Sequence, residues 1–312
     1  MSEKLNNLIS YIIKNDYGLC LENQSFKEIT TLKVGGTIAI LYYPNSDDSL
    51  YEVIKYINTN NIKYYIIGNG SNILASDKYY DGVIISLKKI VNRFIIDKVD
   101  DCKYSVIINS GCTSKRLCDF LLEHSLSGME AIKNIPATIG GLVAMNASCY
   151  DFVCADFVES VEVISVSSNK VERMWISKEK LNFSYRSSEI LKKRLIVLNV
   201  KVILYKKSYD DIYMRILEMN KKKAAVQPLH YRSAGSTFKN GSDYKAWQVI
   251  DSLGLRGFRI KDAGVSNIHT NFLVNLGDAK AHDFILLIDY IKAKAKKQSN
   301  IDLQVEWILI NF

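Results

Sequence analysis

The sequence predicts an α+β protein in two parts, and three observations predict it. Strand-like runs such as "KYYII" and "GVIISL" alternate with amphipathic helical stretches, which gives mixed secondary structure. Between about residues 150 and 205 the texture turns β-rich. There "SVEVISVSSNKVERMWIS" reads as a hairpin with a Ser/Asn turn, and "RLIVLNVKVILYKK" as a long strand. From Tyr209 it changes to helix, glycine-bearing loop and helix, which places a boundary near residue 205. A chain of 312 residues has room for one large domain or two to three ordinary ones.

The elements follow in order. In "DDSLYEVIKYINTNN", Leu50, Val53, Ile54 and Ile57 share one helical face, with Asp47 or Asp48 as N-cap. "KYYII" is a strand that ends in "GNGSN", and "GVIISL" and "YSVIINSG" are two more strands. "TSKRLCDFLLEHSLSG" places Leu117, Phe120, Leu121 and His124 on one face and stops at Gly128, a helix C′ position. His124 is then a packed or half-exposed helix residue and no ligand. After "IPATIGGLVAMNAS" and the β-rich stretch come a helix to Lys223, the loop "QPLHYRSAGSTFKNG" and a helix "DYKAWQVIDSLG". The helix "AHDFILLIDYIKAKAKK" and a final strand "LQVEWILINF" complete the chain.

Composition narrows the function classes. Hydrophobic residues make up 48% and charged residues 24%, values of a soluble globular protein with a full core. No apolar run approaches the ~18 residues of a membrane span. The N-terminus carries acids and asparagines where a secretory segment is apolar, so a cytoplasmic protein is expected. Cys20, Cys102, Cys112, Cys118, Cys149 and Cys154 form no CxxC pair. His124, His230, His269 and His282 have no ligand spacing, so reduced thiols and no metal site are expected. The net charge of +8 suits a nucleic-acid binder, a protein of phosphorylated ligands, or lysines solvated at helix C-termini. No nucleic-acid-binding motif accompanies it.

Three loops carry chemistry. In "GNGSN", Gly68 and Gly70 permit positive φ and close backbone approach, while Asn69, Ser71 and Asn72 add donors. Ile73 stands where a Rossmann glycine belongs, so this loop alone reads as a plain turn before it reads as an anion site. "IPATIGG" has the same character: Pro136 fixes one dihedral and Gly140–Gly141 free the next two. Two such loops some 70 residues apart suit a long diphosphate-containing ligand such as FAD. In "RSAGSTFKN", Ser236 lies near Gly235 and Lys239, as a proton donor beside an anion or as a turn serine. Arg186 precedes a long apolar strand, and Glu306 stands in apolar "LQVEWILINF". Glu306 either shares a solvent face with Gln304 or points inward, paired or protonated.

Taken in order, these stretches resemble the UDP-N-acetylenolpyruvoylglucosamine reductase family. The run comprises "TTLKVGG", "GNGSN", "SGMEAIKNIPATIGGLVAMNAS", "YRSS", "QPLHYRSAGSTFKN", "GLRGFRIKDAGVSNIHTNFLVN" and "VEW", across roughly residues 30 to 310. The short link after "YRSS" is similar to the subtype without an inserted tyrosine-bearing loop. The resemblance implies a vanillyl-alcohol-oxidase-like (PCMH-type) FAD-binding region over 1–205, with subdomains of about 1–90 and 91–205. It implies a smaller α+β substrate domain over 206–312.

It further implies non-covalent FAD, NADPH as hydride donor, and reduction of UDP-N-acetyl-3-O-(1-carboxyvinyl)-glucosamine in peptidoglycan precursor synthesis. Ser236 matches the proton donor, and Arg186 and Glu306 the pair on the substrate carboxylate. Gly68, Asn69, Gly70, Ser71, Asn72, Pro136, Thr138, Gly140, Gly141 and Asn146 match cofactor positions; Lys239, Asn240 and Lys223 match UDP-sugar positions. The partner is then a small molecule, with no nucleic acid or membrane insertion, and the protein a monomer or weak oligomer. The chain departs from the family pattern at Ala137, Ser148, Lys261–Asp262 and Ile308, and after Asn240. These departures motivate a competing reading, a binding relic without turnover.

Overall fold

The computed structural model describes residues 2–168 and 170–312. The chain divides into two units, one of Met1–Glu22, Ile40–Asn69 and Asp81–Lys221, the other of Asn23–Ala39, Gly70–Tyr80 and Lys222–Phe312.

In the first unit, the helix Asp47–Thr59 buries Leu50, Val53, Ile54 and Ile57, as their spacing requires. Its cap is Ser46, one residue before the expected Asp47 or Asp48: the Ser46 hydroxyl accepts from the Ser49 N–H at 3.0 Å. Asp47 is instead a first-turn carboxylate that accepts from Asn199 Nδ2 at 3.1 Å and Arg93 Nη2 at 3.5 Å. The helix Ser114–His124 buries Leu117, Phe120 and Leu121, and His124 stacks on Phe120 with ring centroids 4.2 Å apart. That helix ends at Ser125, in the left-handed region at φ 53°, and not at Gly128. Once Ser125 has reversed the chain, Gly128 serves a different need: at φ 136°, its missing side chain leaves room for the Phe157 ring.

Two large sheets, beside the short pair Ser148–Cys149 and Phe152–Val153, build most of this unit. One runs in the order Gly18–Ser25, Thr37–Pro44, Tyr80–Ser86, Tyr64–Ile67, the last pair parallel with Ile66 opposite Ile85. The other has Val171–Ser177, Val158–Val166, Ile196–Lys206, Lys103–Asn109 and Phe94–Lys98 side by side, antiparallel throughout, with Leu126–Ser127 also on Ile196–Lys206. The expected hairpin is the pair Val158–Val166 and Val171–Ser177; Asn169 of its Ser/Asn turn lies outside the described residues. Alternate residues of these strands (Val106, Ile108, Val161, Val163, Val200, Val202) form a core with Leu117, Leu121 and Leu142.

The division falls between Lys221 and Lys222 rather than at 205/206. The change of texture at Tyr209 marks the start of the helix Tyr209–Val226, but most of that helix belongs to the first unit. Ile212, Ile216 and Met219 are buried, Arg215 pairs with Asp151 at 2.7 Å, and the Lys207 N–H donates to Ser125 O at 3.1 Å.

The second unit draws on three stretches of chain. Its antiparallel sheet runs Arg232–Ser236, Phe272–Asn275, Ala263–Val265, Arg259–Ile260. The helix Ala281–Ser299 buries Phe284, Leu287, Ile288 and Ile291 into a core shared with Phe238, Trp307, Leu32, Val34 and Leu74. Each such side chain contributes roughly 1.5–3 kcal/mol on burial. Residues from "TTLKVGG" and from the strand after "GNGSN" are thus part of this core.

Candidate active site

Ser236 ends the strand Arg232–Ser236 at a bulge. Ser233 pairs with Val274 but Ser236 with Phe272, so three residues on one strand span two on the other. Gly235 absorbs the extra residue at φ +75°. The chain beyond is clamped. The Thr237 N–H donates to Asn271 O at 2.8 Å, and the Leu273 N–H donates to Thr237 Oγ1 at 3.2 Å. Asn271 meets both backbone groups of Phe238, accepting from its N–H and donating to its carbonyl, each at 2.9 Å. Upstream, Thr31 Oγ1 donates to Ser233 O at 2.7 Å. The half-buried Ser236 hydroxyl is therefore carried on a backbone fixed from both sides.

The stretch "LQVEWILINF" is not one strand but two short pairings on different partners. The Lys239 N–H donates to Gln304 O and the Glu306 N–H to Thr237 O, both at 2.8 Å, while Val305 bridges Phe238. The chain then switches: the Ile308 N–H donates to Asn72 O at 2.9 Å, and Ile308–Ile310 runs parallel to Ile73–Ala75. Glu306 sits at this switch, half-buried, while Gln304 is exposed. Asn72 Nδ2 donates to Glu306 O at 3.3 Å. Ser71, Asn72, Ser236 and Glu306 are thereby brought together in one unit. Gly70 anchors that end of the "GNGSN" loop: its φ is +65°, its carbonyl accepts from the Thr31 N–H at 3.1 Å, and a Cβ would stand 2.3 Å from Ile29 O. Lys239 adjoins this group; Asn240 Oδ1 accepts from the Ala246 N–H at 3.0 Å, and Lys223 lies in the last turn of its helix.

In the first unit the two glycine loops, 67 residues apart in sequence, meet: Asn69 Nδ2 donates to Pro136 O at 2.8 Å. A Cβ on Gly68 would lie 2.5 Å from Thr138 Oγ1, so close approach and not positive φ requires this glycine. Thr138 caps the short helix Ile139–Ala144, accepting from the Gly141 N–H at 3.4 Å. The Gly140 N–H donates to Ser110 O at 2.9 Å, and the Ile139 N–H to Cys112 O at 2.8 Å. Neither Gly140 nor Gly141 adopts positive φ; Gly140 lets its backbone approach Ser110, where a Cβ would come within 2.8 Å of the serine Cβ. Lys88 Nζ reaches Asn69 Oδ1 at 3.5 Å, a cation that the local sequence pattern does not signal. An amide, a hydroxyl and an ammonium gathered on side-chain-free backbone fit a diphosphate-bearing cofactor such as FAD.

Arg186 lies at the tip of a tight turn. Ser184 and Ser187 exchange both backbone hydrogen bonds, at 3.0 and 3.1 Å, and Arg186 takes φ +54°. The segment 144–148 holds this turn. Asn146 Nδ2 donates to Ser184 O at 3.0 Å, Asn146 Oδ1 accepts from the Ala155 N–H at 3.0 Å, and Ser188 Oγ donates to Ala144 O at 2.6 Å. Arg186 Nη1 donates to Ser148 Oγ at 2.6 Å, and its guanidinium lies 5.1 Å from the Tyr185 ring centroid. Asn146 thus supports the turn that presents Arg186. Burial raises the thiols of Cys112 and Cys154 to about 12, which disfavours thiolate chemistry.

Residues 38–174 match the family model described as FAD binding domain, and residues 227–310 match that of the UDP-N-acetylenolpyruvoylglucosamine reductase C-terminal domain. The UDP-N-acetylenolpyruvoylglucosamine reductase of Caldanaerobacter subterraneus subsp. tengcongensis is 35% identical over 306 residues, 98% of each chain. That of Clostridium novyi is 38% identical over 284 residues, 91% of this chain and 90% of the relative. The crystal structure of the Thermus caldophilus enzyme superposes with a TM-score of 0.75 at 30% identity, covering 94% of this chain and 98% of that one. The fold is accordingly α+β with an FAD-binding domain. Among the described residues, no helix is long and apolar enough to cross a membrane. The chain therefore belongs to the UDP-N-acetylenolpyruvoylglucosamine reductase family and is an oxidoreductase with an FAD-binding domain.

Proposed function

We propose that this chain uses NADPH to reduce UDP-N-acetyl-3-O-(1-carboxyvinyl)-glucosamine to UDP-N-acetylmuramate, a cytoplasmic step of peptidoglycan precursor synthesis. The reading is supported by the Glu306 N–H donating at 2.8 Å to the carbonyl of Thr237, the residue that follows Ser236. Gly68–Asn72, Pro136, Thr138, Gly140, Gly141 and Asn146 would hold FAD, which, reduced by NADPH, would supply a hydride to C3 of the enolpyruvyl group.

The chain's own residues do the rest. Hydride addition at C3 puts the electron pair of the C=C bond on C2, delocalised into the carboxylate as an enolate. Ser236 gives its hydroxyl proton to C2 and regains one from solvent; a hydroxyl is a weak acid, and the strongly basic enolate makes the transfer favourable. Arg186 presents permanently charged, planar donors to the carboxylate. Glu306 adds a hydrogen bond from its carboxyl O–H form. Preorganised donors of this kind are worth about 3 kcal/mol of barrier each. Lys239, Asn240 and Lys223 serve the UDP-sugar, with the two lysines directed at its phosphates. The protein acts on a small molecule as a monomer or weak oligomer.

Turnover in D2O tests the reading. The product is expected to carry deuterium at C2, from the exchanged serine hydroxyl. Product with the reductant's hydrogen at C2 would contradict it.

A further inference from the structure

We infer that Ser148 is a positioning residue for Arg186, fixing the plane in which the guanidinium meets the substrate carboxylate. The inference rests on the role proposed for Arg186 above. The turn Ser184–Ser187 fixes the Arg186 backbone through Asn146 and Ser188, yet neither of those residues fixes the end of a long, flexible side chain. Ser148 does so twice. Its Oγ accepts from Nη1 at 2.6 Å and its carbonyl oxygen is 3.5 Å from Nη2, so one residue meets both terminal nitrogens. A two-point contact on a planar group sets its orientation as well as its position. The guanidinium has five N–H donors, enough to hold Ser148 and a carboxylate at once. The segment that presents Ser148 is also the one that holds the turn, so both move as one piece.

The test compares the flavin-loaded wild type with Ser148→Ala, Ser148→Thr and Arg186→Ala. The flavin is photoreduced and its reoxidation by the enolpyruvyl substrate is followed in a single turnover. Substrate affinity is read from the perturbed spectrum of the oxidised flavin. Ser148→Ala is expected to slow reoxidation about tenfold, as misplacement of a catalytic group does, with flavin affinity and thermal midpoint unchanged. Ser148→Thr, which keeps the hydroxyl, is expected to restore the rate to within about threefold. Wild-type reoxidation and affinity in Ser148→Ala would overturn the inference. Should Ser148→Ala fail to hold flavin, Ser148→Thr decides alone, and slow reoxidation there would overturn it. Arg186→Ala reoxidised at the wild-type rate would instead contradict the role of Arg186 itself.

Discussion

The Ser236 hydroxyl stands on a backbone that Thr237, Asn271 and Thr31 hold in place, and none of those three contributes a reacting atom in the proposed chemistry. Removing the hydroxyl alone therefore leaves the support intact. Ser236→Ala is expected to keep bound flavin and its reduction by NADPH while steady turnover falls by about 10²–10⁴, the worth of a positioned proton donor. Turnover within a factor of a few of wild type would argue against Ser236 as the acid. At this scale the residue types on which the proposal rests were visible in the sequence: a permanently charged Arg186, a hydroxyl at Ser236, a carboxyl at Glu306. Their supports were not. Asn271 and Thr31 act from 33 and 202 residues away in sequence, through hydrogen bonds that no local pattern encodes.

Two glycines set the elements of the second unit, each for a separate reason. Gly235 supplies positive φ to a bulge, and Gly70 combines positive φ with contact against the Ile29 carbonyl. Gly70→Ala places a methyl group 2.3 Å from that oxygen in a left-handed conformation, at a cost of about 1–3 kcal/mol from backbone strain alone. The urea midpoint is expected to fall accordingly; an unchanged midpoint would mean that the loop adapts freely. His269 tests the same region through pH. Burial holds its pKa below the usual 6.5, its Nδ1 accepts from the Asn271 N–H at 3.3 Å, and its ring packs on Phe272. A histidine depressed in the folded state contributes stability above pH 6.5, and loses it as the pH falls through the lower folded value, because the unfolded chain takes up its proton first. His269→Phe is expected to flatten the fall of thermal midpoint below that pH; parallel curves for both proteins would remove His269 as the cause. The helices Asp47–Thr59 and Ser114–His124 were legible from apolar spacing, because burial of one face decides them. Their ends were less so. Ser46 and Ser125 took roles expected of Asp47 and Gly128, since side chains compete for a cap and local geometry selects among them.

For the whole molecule, two parts were legible from texture, but not which stretches belong to which. Leu32, Val34 and Leu74 lie far from residues 222–312 in sequence yet share their core, and Ile73–Ala75 pairs with Ile308–Ile310. Non-local burial of this kind leaves no periodic signal. Residues 222–312 expressed alone therefore lack part of their core and a strand partner. They are expected to show no cooperative thermal transition; a sharp one would mean that the segments 23–39 and 70–80 are dispensable. FAD itself became readable from the sequence only when "GNGSN" and "IPATIGG" were set in one ordered series, and the 2.8 Å bond from Asn69 to Pro136 supplies the physical reason. Whether a flavin passes electrons from NADPH to the enolpyruvyl sugar is read in the absorbance spectrum of the purified protein. A yellow protein, bleached by NADPH and recoloured by the enolpyruvyl substrate without oxygen, is the predicted result. A colourless protein that FAD cannot reconstitute, or a bleached flavin that the substrate leaves reduced, would contradict it.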